Sequence, residues 1–509
     1  MRLFFAMIVF LLLIAAGPAA WAAQDTRVLP WQERLPEIAS DALLRDVDVL
    51  ETSYAALHPG LHRYLTAAEL DDAYADLRQR FASPQRLDQA YLAYSAFTAK
   101  IRCGHTYANF HNQSKDVQQA LLQHPRLPLL FRWIDGEMVV TRDLGSGAAL
   151  PPGTRILALQ GVPTPDILAR LLPYARADGH NDFKRIADMQ RIGSGRYEAF
   201  DVFYPLLYPH AVASSLRVRY QLPGDARTRS AKLRMMAFAD AEATRDRKED
   251  PASPLGWTLE RPKPGIALLR MPSWVAYQHP EWDWQAYVDD LFRNLVDDGT
   301  TDLLIDLRGN EGGTGVGESL IAHLVQTPTP VSIATRSVRY RRVPDALRTA
   351  LSTWDDSFYD WGDAAVGPVD GFYRLTKYDD AEAGVVIAPK APRFGGQVWV
   401  MIGPDNSSAT FEFAETVQQQ RLGTLVGEPT GGNQRGINGG AFLFMTLPGS
   451  GIELDVPLIA QFPEKNVPDA GLMPDVPAAE SAGSIAAGRD IALEAILARI
   501  DESDSAENH

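Results

Sequence analysis

Two loops carry the residue types that acyl transfer needs. One reads Asp306-Leu307-Arg308-Gly309-Asn310-Glu311-Gly312-Gly313-Thr314-Gly315, the other Gly403-Pro404-Asp405-Asn406-Ser407-Ser408-Ala409-Thr410. Glycines admit positive φ and close approach, so their N–H groups can face an anionic oxygen. That oxygen could belong to a nucleotide phosphate or to the oxyanion of an acyl-transfer intermediate. The nucleotide reading lacks its companions: there is no G-x-G-x-x-G, no Gly-Lys-Ser/Thr, and no acidic residue from Val325 to Val343 to hold a ribose. A serine at the first turn of a helix is commonly an N-cap. The same position suits a nucleophile, because the helix dipole and free N–H groups stabilise developing negative charge.

A hydroxyl nucleophile needs a base. Of the ten histidines, His105 stands apart, set in Cys103-Gly104-His105-Thr106 where a helical pattern gives way to the extended stretch Thr106 to Phe110. There is no G-x-S-x-G elbow, no H-E-x-x-H and no pair of cysteines, so neither the α/β-hydrolase route nor a zinc site is indicated. No metal or other cofactor is expected.

Both loops need strands to hold them. Leu303 to Asp306 and Gln397 to Ile402 read as buried strands, each ending where a glycine- or serine-bearing loop begins. Helical runs follow, Glu318 to Val325 and Phe411 to Gln420, after an earlier strand and helix at Ile266 to Met271 and Trp284 to Val296. Such alternation predicts parallel βαβ units, whose active groups gather beyond the carboxyl ends of the strands. Upstream, Leu43, Val47, Leu50, Tyr54 and Leu57 recur at helical spacing, as do residues in Leu65 to Phe81 and Leu87 to Ile101, with His58-Pro59-Gly60 as a break. From Leu127 the texture changes to short strands, Met138 to Thr141, Thr154 to Ala158, Ser215 to Gln221 and Ala231 to Met236, with a helical run from Pro165 to Leu172. Charged residues 239–250 before Pro251 and Pro254 predict a linker.

The chain of 509 residues suits about three domains. Its 46% hydrophobic and 22% charged content is globular, and its net charge of −15 repels nucleic acids and anionic lipid headgroups. A single cysteine, Cys103, forms no intramolecular disulfide and reads as a small buried hydrophobe. Met1-Arg2, the apolar stretch Leu3 to Ala16 and the small residues ending Ala20-Trp21-Ala22 predict a secretory leader cut near Ala22, and hence a periplasmic or secreted protein starting near Ala23. The apolar stretch is shorter than the roughly 20 residues needed to span a bilayer.

Three segments, Gly104-His105-Thr106, Ile305 to Gly313, and Ser407-Ser408-Ala409 followed by Thr424-Leu425-Val426-Gly427-Glu428-Pro429-Thr430-Gly431-Gly432, stand in an order and spacing that resemble the C-terminal-processing, or tail-specific, serine peptidases, in their tricorn-like branch. The resemblance covers roughly residues 40–480. It implies an α/β (α+β) multi-domain chain: after a leader (1–22), a helical cap carrying His105 (23–120), a PDZ-like β-rich module and linker (121–255), a ClpP/crotonase-like α/β sheet domain (256–480) and a C-terminal helix and tail (481–509). Aligning the Val-Gly-x-x-Thr-x-Gly turn without gaps places the nucleophile at Ser408, not Ser407. Many members use a lysine just after that turn; here the position is Asn433 and the next lysine is Lys465, so the resemblance shifts the base to His105. It also implies an acidic partner before Gly471-Leu472-Met473-Pro474-Asp475, with Asp469 favoured over Glu464, and oxyanion N–H groups from Gly312 or Gly313 and from Ala409.

The implied function is a serine-type peptidase acting on peptides or unfolded proteins, with no nucleic-acid partner. Pro152 to Val162 resembles the strand and turn of a PDZ-like module, which would add a peptide as an extra strand or serve only as a spacer. The alternative is a non-catalytic ligand- or peptide-binding protein on the same fold, as in vertebrate retinoid carriers, or a scaffold with a dead hydrolase. Tyr340 to Lys377, rich in Tyr and Trp, reads as part of a substrate wall or as an ordinary surface insertion.

Overall fold

The computed structural model describes residues 29–211, 213–243, 253–330, 335–378, 386–463 and 466–507. The predicted leader, most of the predicted linker, Glu464 and Lys465 lie outside them. No helix among the described residues is long and apolar enough to cross a membrane.

The first helices follow the apolar spacing. In α1 (Ser40–Leu57), Leu43, Val47, Leu50, Tyr54 and Leu57 are all fully buried on one face. Thr66 and Glu69 form a capping box that starts α2 (Ala67–Arg80), and α3 (Leu87–Lys100) brings the chain to the His105 segment. A six-stranded antiparallel sheet follows, five of its strands in sequence order, β1 (Leu129–Ile134), β2 (Glu137–Asp143), β3 (Arg155–Leu159), β4 (Ser215–Gln221) and β5 (Arg229–Arg234), with the two-residue strand Val162–Pro163 paired to β3 off that path. Between β3 and β4 the chain runs through Thr164–Leu171 and the short helix α4 (Asp182–Asp188).

The remaining elements interleave two sheets. In chain order they are β6 (Thr258–Lys263), β7 (Ile266–Arg270), α5 (Trp284–Asp297), β8 (Asp302–Asp306), α6 (Val316–Leu324), β9 (Thr335–Val338), β10 (Leu351–Ser352), β11 (Ala365–Val369) and β12 (Phe372–Leu375). There follow β13 (Gln397–Ile402), α7 (Ser408–Gln419), β14 (Thr424–Gly427), β15 (Ile437–Thr446), β16 (Glu453–Phe462), β17 (Val476–Pro477) and α8 (Ile491–Glu507). One sheet has the order β17-β14-β13-β8-β7-β6, parallel except for the edge strand β6. Every residue of β8 is buried, as a parallel strand covered on both faces must be. On one face Val288, Phe292, Leu320 and Phe413 pack on the sheet; on the other, Ile496 and Ile500 of α8 meet Leu304 and Met401.

The second sheet, β10-β15-β16-β9-β12-β11, is antiparallel, and the sequence pattern did not predict it. In β16 the run Leu454 to Ala460 is buried without interruption, which erases strand alternation, and β15 is broken by an irregularity between Gly439 and Phe442. This sheet shares one continuous apolar core with α1–α3 and with β1–β5, so the core does not divide at residue 120. The parallel sheet has cores of its own.

Candidate active site

Ser408 opens α7 beyond the carboxyl end of β13, beside the loop that leaves β8. Its φ is 51°, a left-handed value that a side chain with a Cβ rarely adopts and that is held only where the surroundings enforce it. Two fully buried asparagines do so. Asn406 Nδ2 donates to Leu307 O (2.6 Å) and Asn310 O (3.0 Å), its Oδ1 accepts Gly403 N–H (2.8 Å), and its carbonyl accepts N–H from both Gly431 and Gly432 (2.8 Å each). Asn310 Nδ2 donates to Met271 O (2.7 Å), and its Oδ1 accepts Gly312 N–H (2.9 Å). Ser407 occupies the N-cap position of α7 but does not cap it; its Oγ donates to Glu311 O at 3.2 Å.

The two loops touch at Gly312, where φ is 105°. A Cβ there would lie 3.0 Å from Ala409 N and from Ser408 Cβ, and 2.8 Å from Ser407 O. Only glycine therefore leaves space over the Ala409 amide. Gly313 turns the other way: a Cβ on it would lie 2.4 Å from Trp274 O. Gly312 N–H is engaged by Asn310 Oδ1, whereas Gly313 N–H and Ala409 N–H take part in no hydrogen bond among the described residues.

His105 sits in a loop tied down on every side. His58 Nδ1 accepts Gly60 N–H (3.0 Å), which fixes the tautomer so that Nε2–H donates to Thr106 Oγ1 (2.7 Å). Asp178 Oδ1 accepts Gly104 N–H (2.9 Å), Tyr91 donates to Ala108 O (2.9 Å), and Asp455 N–H donates to Tyr107 O (3.1 Å). Asn109 and Asn112 donate to the Asp455 carboxylate at 2.7 and 3.1 Å. The His105 ring itself has a buried Nδ1 without a hydrogen-bond partner.

Segment 176–184 joins the histidine loop to the serine side. Arg176 donates to Gly104 O (3.0 Å) and to Glu311 Oε2 (2.9 Å), with its guanidinium 4.7 Å from the centre of the Tyr107 ring. The buried Lys184 pairs with the other oxygen of Glu311, the residue before Gly312. Asn181 Nδ2 donates to the carbonyls of Thr430 (2.9 Å) and Gly432 (2.7 Å). Burial first, and the Arg176 charge second, push the His105 imidazole down to about 4. Desolvation pushes the Glu311 carboxyl up, but Arg176 and Lys184 outweigh it and hold the group well below the usual carboxylate range.

Ser408, Ala409 and Gly312 thus stand together, with Gly313 the next residue of the same loop. His105 reaches them through the Arg176–Glu311 pair rather than by a hydrogen bond to Ser408. Asp469 is elsewhere: its carboxylate takes His180 Nδ1 (2.6 Å), His180 N–H (3.0 Å) and Asn433 Nδ2 (2.7 Å), and the structure pairs it with His180 rather than with His105. Desolvation raises its pKa, but these donors prevail and keep it low. Asn433, at the position of the family lysine, also donates to Asp178 O (3.0 Å). Asp475 of the Gly-x-x-Pro-Asp motif accepts Leu425 N–H (2.8 Å) and so holds β14. Sequence reasoning missed Arg176 and Lys184, which carry no local signal, and Asn310 and Asn406, whose signal was their place inside the two loops. No group of three His, Cys, Asp or Glu able to hold a metal occurs among the described residues.

Residues 265–477 match the model of peptidase family S41. Among solved structures, mature CPAF complexed with lactacystin is similar with a TM-score of 0.58 and 14% identity, over 88% of this chain and 95% of that one. Mature CPAF alone gives 0.55 and 14%, over 88% and 94%. At these identities the likeness is one of fold. The photosystem II D1 C-terminal processing protease, at 15% identity over 86% of this chain and 92% of that one, has a TM-score of only 0.38 and supports no argument. Among curated proteins, none matches the sequence significantly.

Proposed function

We propose, from the match of residues 265–477 to the model of peptidase family S41, that this chain is a serine-type peptidase that hydrolyses peptide bonds by acyl transfer through Ser408, with His105 as general base. Ser408 Oγ attacks the scissile carbonyl as the imidazole takes its proton; the amine leaves with that proton, and water then cleaves the ester, returning a proton to Ser408. Ala409 N–H and Gly313 N–H are the oxyanion donors, and Gly312 is the residue whose missing Cβ keeps room for the oxyanion. Asp469 acts through the His180–Asn433 cluster and not on His105. The observation that carries this reading is the contact of Gly312 with Ser408 and Ala409 at the head of a helix that no side chain caps. Export to the periplasm or medium, by removal of residues 1–22, belongs to the same proposal, and the mass of the mature chain tests it.

Labelling with a fluorophosphonate tests the nucleophile. Ser408→Ala should abolish both labelling and peptide hydrolysis with the fold intact. Ser407→Ala should lose little, because its side chain makes only one hydrogen bond to Glu311 O, worth about 1 kcal/mol. Reversed effects would move the nucleophile to Ser407.

A further inference from the structure

The outer face of β15 forms an aromatic ledge that starts at His105. A Cβ on Gly439 would lie 3.8 Å from His105 Cε1, and the His105 and Phe442 ring centres are 5.6 Å apart. Phe442 and Phe444 alternate outward along the strand and are half-buried, while Leu443 and Met445 between and after them are fully buried in the core. Trp354 lies over both phenylalanines, at 5.9 Å from Phe442 and 5.6 Å from Phe444, and packs edge-on to Phe358 at 5.4 Å. Its position is fixed: β10 pairs with β15 at Leu351 and Ser352, and Thr353 Oγ1 donates to Phe442 O (2.9 Å). Yet the Trp354 side chain is left 61% exposed.

A tryptophan that is held rigidly but left in water forfeits the burial that large aromatic rings usually obtain, and such rings are the common anchors of recognition surfaces. The ledge is continuous with the His105 side of the site, so its occupant is a molecule that also reaches the reacting centre. We propose that Trp354, with Phe442 and Phe444, is a subsite for a bulky apolar side chain of the peptide substrate, and that it gives the enzyme a preference for peptides carrying such a residue near the scissile bond. The inference rests on the peptidase reading of the same site. The occupant is a peptide, since an apolar ledge on one face of a strand supplies contact area to a side chain and leaves the adjoining main chain free to meet the loop of Gly312 and Ser408.

Equilibrium binding to the full-length Ser408→Ala protein tests the ledge apart from catalysis. Fluorescently labelled peptides differing only in one side chain, leucine or phenylalanine against serine or glutamate, are titrated by anisotropy. The expected result is tighter binding of the apolar peptides by about tenfold or more, lost when Trp354→Ala is added and retained with Trp354→Tyr, while the thermal midpoint stays unchanged. Equal binding of all peptides, or an apolar preference that survives Trp354→Ala, overturns the proposal. A wild-type protein that shows the Trp354-dependent preference but cleaves no peptide would overturn the role of Ser408 and leave the ledge standing.

Discussion

At the scale of single residues, the candidate nucleophile, the candidate base and the glycine beside the serine carry local signals in the sequence. Ser408 follows a buried strand, Gly312 and Gly313 follow another, and His105 lies in the loop that follows α3. The expected acidic partner carries a motif signal and no spatial one: Asp469 lies near the Gly-x-x-Pro-Asp motif in sequence, and its carboxylate meets His180, which lies far from it in the chain. The largest charge effect on His105 comes from Arg176, ahead of Glu311 and Lys184, and no pattern around Arg176 announces that role. Because Arg176 disfavours the imidazolium, a neutral variant should make protonation easier. The wild-type ring, followed by its own NMR signal, should titrate near 4, below the ordinary value of about 6.5. In Arg176→Met its pKa should rise, and with it the pH below which the base is lost; Arg176→Lys should leave it nearer the wild type. An unchanged titration in Arg176→Met would mean that Arg176 does not set the pKa of His105.

At the scale of elements, the helices and the parallel strands appeared where apolar spacing placed them. The antiparallel sheet did not, because β16 is buried on both faces and β15 carries two glycines at its irregularity. Yet β16 supports the histidine loop through Asp455, whose carboxyl is raised to about 7 by burial, against the hydrogen bonds from Asn109 and Asn112. A raised carboxyl favours the fold while it is protonated, and that contribution is present below its unfolded value of about 4 and lost as pH rises to 7. Between those limits the protein should therefore lose stability relative to Asp455→Asn at about 1.4 kcal/mol per pH unit. Denaturant unfolding of both proteins at pH 4.5 and 7.5 checks the sign; a difference independent of pH would show that Asp455 is ionised throughout.

At the scale of the whole molecule, the candidate base and the candidate nucleophile are held by different cores. His105 is held by the core that unites α1–α3, β1–β5 and the antiparallel sheet, and Ser408 by the core of the parallel sheet. Glu311 spans them, paired with Arg176 and the buried Lys184. Glu311→Gln should take from the buried Lys184 its hydrogen-bonded carboxylate, leaving only the more distant charges of Asp178, Asp188 and Asp405, and lower stability by about 1–3 kcal/mol; adding Lys184→Met should recover part of that loss. Additive effects in this double-mutant cycle would mean that the pair does not hold the two cores together. The long antiparallel strands have one more consequence, in time rather than space. A ribosome delivers His105 early, Ser408 some three hundred residues later, and the strands that seat the histidine loop later still. On the proposed mechanism, a chain still being synthesised or threaded across a membrane has no working hydrolase, and its potential to damage neighbouring proteins begins only when its last strands are in place.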